Sequence, residues 1–212
     1  MESLATFDDK LTMRHVREYP HPIDRVWDAV TMTEHLDVWL LPASQVERRE
    51  GGKCSFSWGG PVDQSVPGTV SIFDPPNRVR YLDDDGSYIQ FDLESLGEVR
   101  TRLTFLQHFP AGVGTEPAEW PGGDQPAGPD TPWKPGFIAG FHGFLDQLDA
   151  YLSGGWTRER AQAFIDEVYN NGDVMKLWQE RPETCPPAND PANHEPLIDI
   201  YREHVKKIYP YS

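Results

Sequence analysis

The 212 residues suit one domain plus an extension, or two small domains, and with 38% hydrophobic and 12% aromatic residues the chain carries enough apolar material for a core. Its formal net charge of −15 argues against nucleic acid, because phosphate binding needs a basic face, and against anionic membrane surfaces; the acidity reads as a solubility feature. The two cysteines, Cys54 and Cys185, fall in no CxxC or zinc-type spacing, so no disulfide framework is implied.

The opening MESLATFDDK is acidic and has no apolar h-region, so no signal peptide is expected. No run approaches the ~20 apolar residues needed to span a bilayer, and the expected location is cytoplasmic. Residues 11–19, LTMRHVREY, alternate as a first strand. Pro20 and Pro22 interrupt it, and Pro22 with Asp24 suits the first turn of a helix. Ile23, Val26, Trp27 and Val30 then fall at i, i+3, i+4, i+7, a single apolar stripe. Thr33 is the expected N-cap of a second short helix carrying Leu36, Trp39 and Leu40, which Pro42 stops.

From 45 to 109 the period becomes two. QVERR, GKCSFSW, PGTVSIFD, NRVRYL, SYIQFDLES and EVRTRLTFLQHF read as strands, separated by Gly51-Gly52, Gly59-Gly60-Pro61, Pro75-Pro76-Asn77, Asp85-Gly86 and Leu96-Gly97. The pattern predicts an antiparallel meander. Residues 110–136 hold seven prolines and six glycines and no period, which leaves a lid or an irregular insert as alternatives. Phe137, Phe141, Phe144, Leu145, Leu148 and Leu152 mark a long amphipathic helix that Gly154-Gly155 ends. The remainder, 156–212, reads as a helical arm. Thr157 caps a stripe of Ala161, Phe164, Ile165 and Val168, and the last helix carries Leu197, Ile200, Tyr201, His204, Val205 and Ile208. Helices this short are marginal alone, so the arm is expected to dock on the domain or on a second copy, as in a homodimer.

Several segments together are similar to one family. HPIDRVWDAVTMTEHLDVWLLP resembles the opening of the SRPBCC (START-like) superfamily, and in particular the branch named after the activator of heat-shock protein 90 ATPase. GGKCSFSW, GTVSIFDPPNRVRYL (with Gly68, Val70, Asp74, Pro75 and Pro76), TRLTF and GFHGFLDQL resemble that branch's later motifs, over about residues 11–153. The family's helix Trp is Phe141 here, and the slot where a His often ends the penultimate strand is Gln107, with His108 one residue later. The resemblance implies an α+β helix-grip fold: a curved antiparallel sheet around a long C-terminal helix, with two short helices after the first strand. That domain would span 1–155 and the added helical arm 156–212.

Period-two parity puts Cys54, Phe56 and Trp58 on one face, as it does Val70 and Ile72; Ile89, Phe91 and Leu93; and Thr101, Leu103, Phe105 and Gln107. Most such residues fill a core, but a ligand-holding fold makes some of them pocket wall. The expected lining is Trp39, Phe56, Trp58, Ile72, Phe91, Leu103, Phe105, Gln107, Phe137, Phe141 and Phe144. Gln107 is the polar group expected inside. His108 would reach the site only through a bulge and otherwise faces solvent. Cys54 reads as a small buried residue rather than a nucleophile. His142 falls at the edge of the long helix's apolar stripe. The seven histidines form no HExxH or HxH pair, and no phosphate loop is present, so neither metal nor cofactor is expected.

Three functions are compatible with this reading. The first is binding of a small hydrophobic or amphipathic molecule in an internal cavity. The second is a co-chaperone-like module that engages a protein partner and activates a heat-shock ATPase. The third is a cofactor-free cyclase or hydrolase using the same cavity, which leaves catalysis open. Fold alone does not choose among them.

Overall fold

The computed structural model describes residues 6–7, 11–57, 66–109 and 134–163. Within it, the period-two segments form one antiparallel sheet. Its strands are β1 (Thr6–Phe7), β2 (Thr12–Tyr19), β3 (Gln45–Val46), β4 (Lys53–Phe56), β5 (Val66–Asp74), β6 (Arg78–Asp83), β7 (Tyr88–Ser95) and β8 (Thr101–His108), in spatial order β1-β2-β8-β7-β6-β5-β4-β3. The meander therefore runs in sequence from β3 to β8, and β2 closes the arrangement by pairing with β8 from Thr12↔His108 to Tyr19↔Thr101. With helices α1 (Ile23–Thr31), α2 (Thr33–Trp39) and α3 (Lys134–Leu152) gathered on the concave face, this is the α+β helix-grip architecture.

The apolar stripe of α1 faces inward: Val26, Trp27, Ala29 and Val30 are buried. Tyr81 on β6 donates its hydroxyl to the Val30 carbonyl at 2.7 Å, and Trp27 meets Phe73 of β5 with ring centroids 5.4 Å apart. These contacts fix α1 across the middle of the sheet. On α2, Leu36 and Trp39 are fully buried, and the Trp39 indole donates to the Ala29 carbonyl at 2.8 Å. The two tryptophans thus have different neighbours. Trp27 packs down on the sheet, and Trp39 locks the second helix to the first.

Thr33 does not cap α2. The N-cap position is the extended Met32, and Thr33 is the first helical residue. Its hydroxyl instead accepts the Val46 N–H at 3.0 Å, joining α2 to the edge strand β3. The tertiary bond satisfies a backbone donor that an edge strand would otherwise leave to water.

α3 begins at Lys134, three residues before the first apolar position of its stripe, and Pro135 stands in the first turn, where a missing N–H is tolerated. Leu145, Leu148 and Leu152 are buried against the sheet and the short helices. Burial of each such leucine contributes about 1.5–3 kcal/mol. Gly154, at φ +80°, ends the helix: its N–H bonds to the Tyr151 carbonyl at 3.0 Å, and that of Gly155 to the Ala150 carbonyl at 2.7 Å.

The packed body does not stop there. Trp156 and Ala161 are buried in the same core cluster. Arg158 pairs with Asp37 of α2 at 2.8 Å, and a new helix starts at 158, with Thr157 accepting the Arg160 N–H through its hydroxyl and the Ala161 N–H through its carbonyl. The stripes further along the arm and the insert up to 133 lie outside the described residues. No helix among the described residues is long and apolar enough to cross a membrane.

Candidate functional site

The inner wall is built by register. Phe91 on β7 lies opposite Val79 on one side and Phe105 on the other, and Leu93 lies opposite Leu103. Phe56, Tyr81, Phe91, Phe105, Phe141 and Phe144 then form a continuous row of rings, each 4.6 to 6.4 Å from the next, with Phe105 and Phe141 stacked at 4.6 Å. Trp39 meets this row edge-on at Phe91. Trp39, Phe91, Leu103 and Phe105 are fully buried, and Phe56 and Gln107 nearly so. Phe141 and Phe144 are partly buried against the same core.

Two of the expected lining residues, Trp58 and the side chain of Phe137, lie outside the described residues. A third, Ile72, faces the other way. The pairing of β5 with β6 runs Val70↔Tyr81 and then Ile72↔Arg80, so Ser71 is an extra residue in β5. Such a bulge inverts parity downstream. Val70 and Phe73 consequently face the core, and Ile72 shares the outer face with Arg80.

β8 has no bulge. Its register with both neighbours is unbroken, so Gln107 keeps the inward side, opposite Met13 and Ile89, and His108 the outward side. There His108 hydrogen bonds Thr12 at 2.9 Å and stacks on Tyr88 at 4.9 Å, over which Arg80 lies. The Gln107 amide oxygen is buried with no hydrogen-bond partner among the described residues. A buried amide group without a partner costs about 1–3 kcal/mol, so its presence in an apolar row calls for a reason.

A polar group of residues that the sequence reading did not assemble faces the same space. On β2 the inward positions are Met13, His15, Arg17 and Tyr19, opposite Gln107, Phe105, Leu103 and Thr101. His15 is fully buried with its ring 6.1 Å from that of Phe105. Arg17 donates to Nδ1 of His142, and His142 Nε2 lies 3.3 Å from Asp146 one turn along α3. Tyr19 donates its hydroxyl to the Leu145 carbonyl at 3.0 Å; burial holds its pKa far above the usual phenolic value. The signal for β2 was present as alternation in TMRHVREY. Both faces of that strand are mixed, however, so alternation alone did not say which set points in.

At the far side of the sheet, Asp83 and Cys54 adjoin Gly68. Burial, assisted by Asp85 and Asp84, raises the Asp83 pKa to about 6, and burial with the nearby Asp83 charge pushes the Cys54 thiol up to about 12. Cys54 is thus a protonated thiol at neutral pH and not a nucleophile. Among the described residues, no group of three His, Cys, Asp or Glu side chains is placed to hold a metal ion.

A family model described as "Activator of Hsp90 ATPase homolog 1-like protein" matches residues 20–153. No curated protein matches the chain. Among solved structures, a conserved protein of unknown function from Enterococcus faecalis is similar at 16% identity and TM-score 0.52, over 96% of this chain and 90% of that one. A protein from Rhodobacter sphaeroides is similar at 17% identity and TM-score 0.52, over 71% of this chain and 97% of that one. The Aha1 dimer from Colwellia psychrerythraea gives 16% identity and TM-score 0.52, over 68% and 98%. At these identities the structural likeness speaks for the fold alone.

Proposed function

The chain belongs to the family of activator of Hsp90 ATPase homolog 1-like proteins, and from that premise we propose that it binds a small hydrophobic or amphipathic molecule between the concave sheet and α3. The observation that supports this most directly is Gln107. A buried amide oxygen without a partner among the described residues, on the inward face two residues along β8 from Phe105, is a hydrogen-bonding point kept at a cost in stability. Phe105, Phe141 and Phe144 would contact the apolar part of the ligand, with Leu103, Phe91, Trp39 and Phe56 as the floor behind them. Partial burial of Phe141 and Phe144 supports entry at the N-terminal half of α3.

Uptake of the neutral dye N-phenylnaphthylamine by the intact protein tests the reading. Saturable binding with enhanced, blue-shifted emission is expected, and Leu103→Trp, which fills the floor, is expected to abolish it without unfolding the protein. Absence of saturable uptake by the folded wild type would overturn the proposal and favour the co-chaperone-like reading, in which this space is only a core.

A further inference from the structure

The polar groups around the inner face are not balanced between giving and accepting hydrogen bonds. Tyr19 gives its hydroxyl proton to the Leu145 carbonyl at 3.0 Å, Tyr81 to that of Val30 at 2.7 Å and Thr101 to that of His21 at 2.8 Å. The Trp39 indole N–H is committed to the Ala29 carbonyl, and the Gln147 amide nitrogen to the Trp39 carbonyl at 2.9 Å. Arg17 donates to Val16 and His142 and is paired with Asp146. The imidazole of His15 can act in either sense by choice of tautomer and sets no preference.

What stays unmet is acceptor oxygen. Oε1 of Gln107 and Oε1 of Gln147 are both buried with no hydrogen-bond partner among the described residues. Gln147 belongs to the contact of α3 with α2, where its nitrogen holds the Trp39 carbonyl. Gln107 stands on the inward face of β8, opposite Met13 and Ile89 and two residues from Phe105. The donors here are spent on the protein's own carbonyls while acceptors are left over, so the missing partner of Gln107 has to be a donor brought from outside.

We infer that the ligand is an uncharged molecule that gives a hydrogen bond, from an N–H or an O–H, to the Gln107 amide oxygen, and that the site discriminates against molecules of the same shape that can only accept. This rests on the binding reading above and deepens it by naming the ligand class. The amide nitrogen of Gln107 can donate in turn, so a hydroxyl can pair with the group in both senses, but only a donor meets the oxygen. An ether, ketone or carboxylate would set lone pairs against lone pairs. An ammonium would bring a charge without a counter-ion to a position flanked by Met13, Ile89 and Phe105, where burying it is costly. The apolar remainder of the ligand lies against Phe105 and Phe141.

The test compares indole with benzofuran, two bicyclic molecules of equal shape in which a ring N–H is exchanged for a ring oxygen. Both are measured as competitors of N-phenylnaphthylamine and by direct calorimetry, on the intact protein at neutral pH. The wild type is expected to bind indole about tenfold more tightly than benzofuran, the range set by leaving a buried acceptor unpaired. Gln107→Leu is expected to bind the two equally, with a melting temperature at or above that of the wild type showing that it is folded. Gln107→Met, which keeps the length of the side chain without the amide, is the second variant should the leucine variant fail to fold. Equal affinities in the wild type, an indole preference that survives loss of the amide, or loss of both molecules alike in a folded variant would overturn the donor requirement while leaving hydrophobic binding by the wild type intact. Failure of the wild type to bind dye, indole or benzofuran would remove the binding reading itself.

Discussion

The indole N–H of Trp156 donates to the carbonyl of Val38, 2.8 Å away. Val38 lies in the last turn of α2, where carbonyls have no partner within the helix. The next carbonyl, that of Trp39, is taken by the Gln147 amide at 2.9 Å. The end of α2 is therefore capped by α3 and by Trp156, four residues past the end of α3. Trp156→Phe keeps most of the packing and removes the donor, and is expected to cost about 1–2 kcal/mol, read as a lowered urea midpoint with an unchanged slope.

Trp27→Ala empties a large buried site beside Phe73. A loss of ~3–5 kcal/mol is expected, as for other aromatic truncations in cores. Equilibrium denaturation measures it, and a midpoint that barely moves would contradict the packing of α1 on the sheet.

Gly68 allows β5 to approach its neighbours. A Cβ there would stand 2.6 Å from the Leu82 carbonyl oxygen and 3.3 Å from Cys54 Sγ. The first contact is with backbone that cannot yield cheaply. Gly68→Ala is expected to destabilise by about 1–3 kcal/mol, as overpacking does, and a thermal melt shows whether it does.

Asp83 should make stability fall as pH rises. Its folded pKa, raised to about 6, exceeds the ordinary 3.8, so between those values the folded state holds a proton that the unfolded state has released. The contribution is fully present below the unfolded pKa and is lost as pH passes through the folded one. Asp83→Asn is expected to flatten this decline. It should also stabilise the protein near neutral pH by about 1 kcal/mol, a figure already reduced for solvent screening of a half-buried group. Urea midpoints for both proteins across the acid range decide it.

Gln107→Leu should stabilise the ligand-free protein. It replaces an amide whose buried oxygen has no partner among the described residues with an apolar side chain of similar size. A gain of about 1 kcal/mol is expected, visible as a higher melting temperature, together with weaker binding of any ligand that hydrogen bonds there.

What the sequence disclosed and what it withheld divide along physical lines. Strands and helices were legible where a period ran uninterrupted, as from Tyr88 to Ser95 and from Phe141 to Leu152, because burial of one face imposes that period. Ile72 was misplaced because a bulge at Ser71 leaves no mark in local composition and still reverses every side chain beyond it. Thr33 has the chemistry of a cap but was claimed by Val46, thirteen residues away. Arg17 and His142, 125 positions apart, come together only through the tertiary fold. Their side chains belong to a strand with mixed faces and to the margin of a helix stripe. Neither position announces an inward cation.

The pairing of β2 with β8 has a consequence for how the chain comes into being. Thr12 and His108 are 96 positions apart, so β2, an early strand, has its main partner β8 made last among the described strands. The meander from β3 to β8 can form by successive local hairpins, but β2 must wait, its edge open, until β8 has emerged. Contacts so distant in sequence slow folding and prolong the exposure of unpaired strand edges during synthesis. The acidic character of the chain, the same property that opposes anionic partners, also keeps nascent copies apart during that interval.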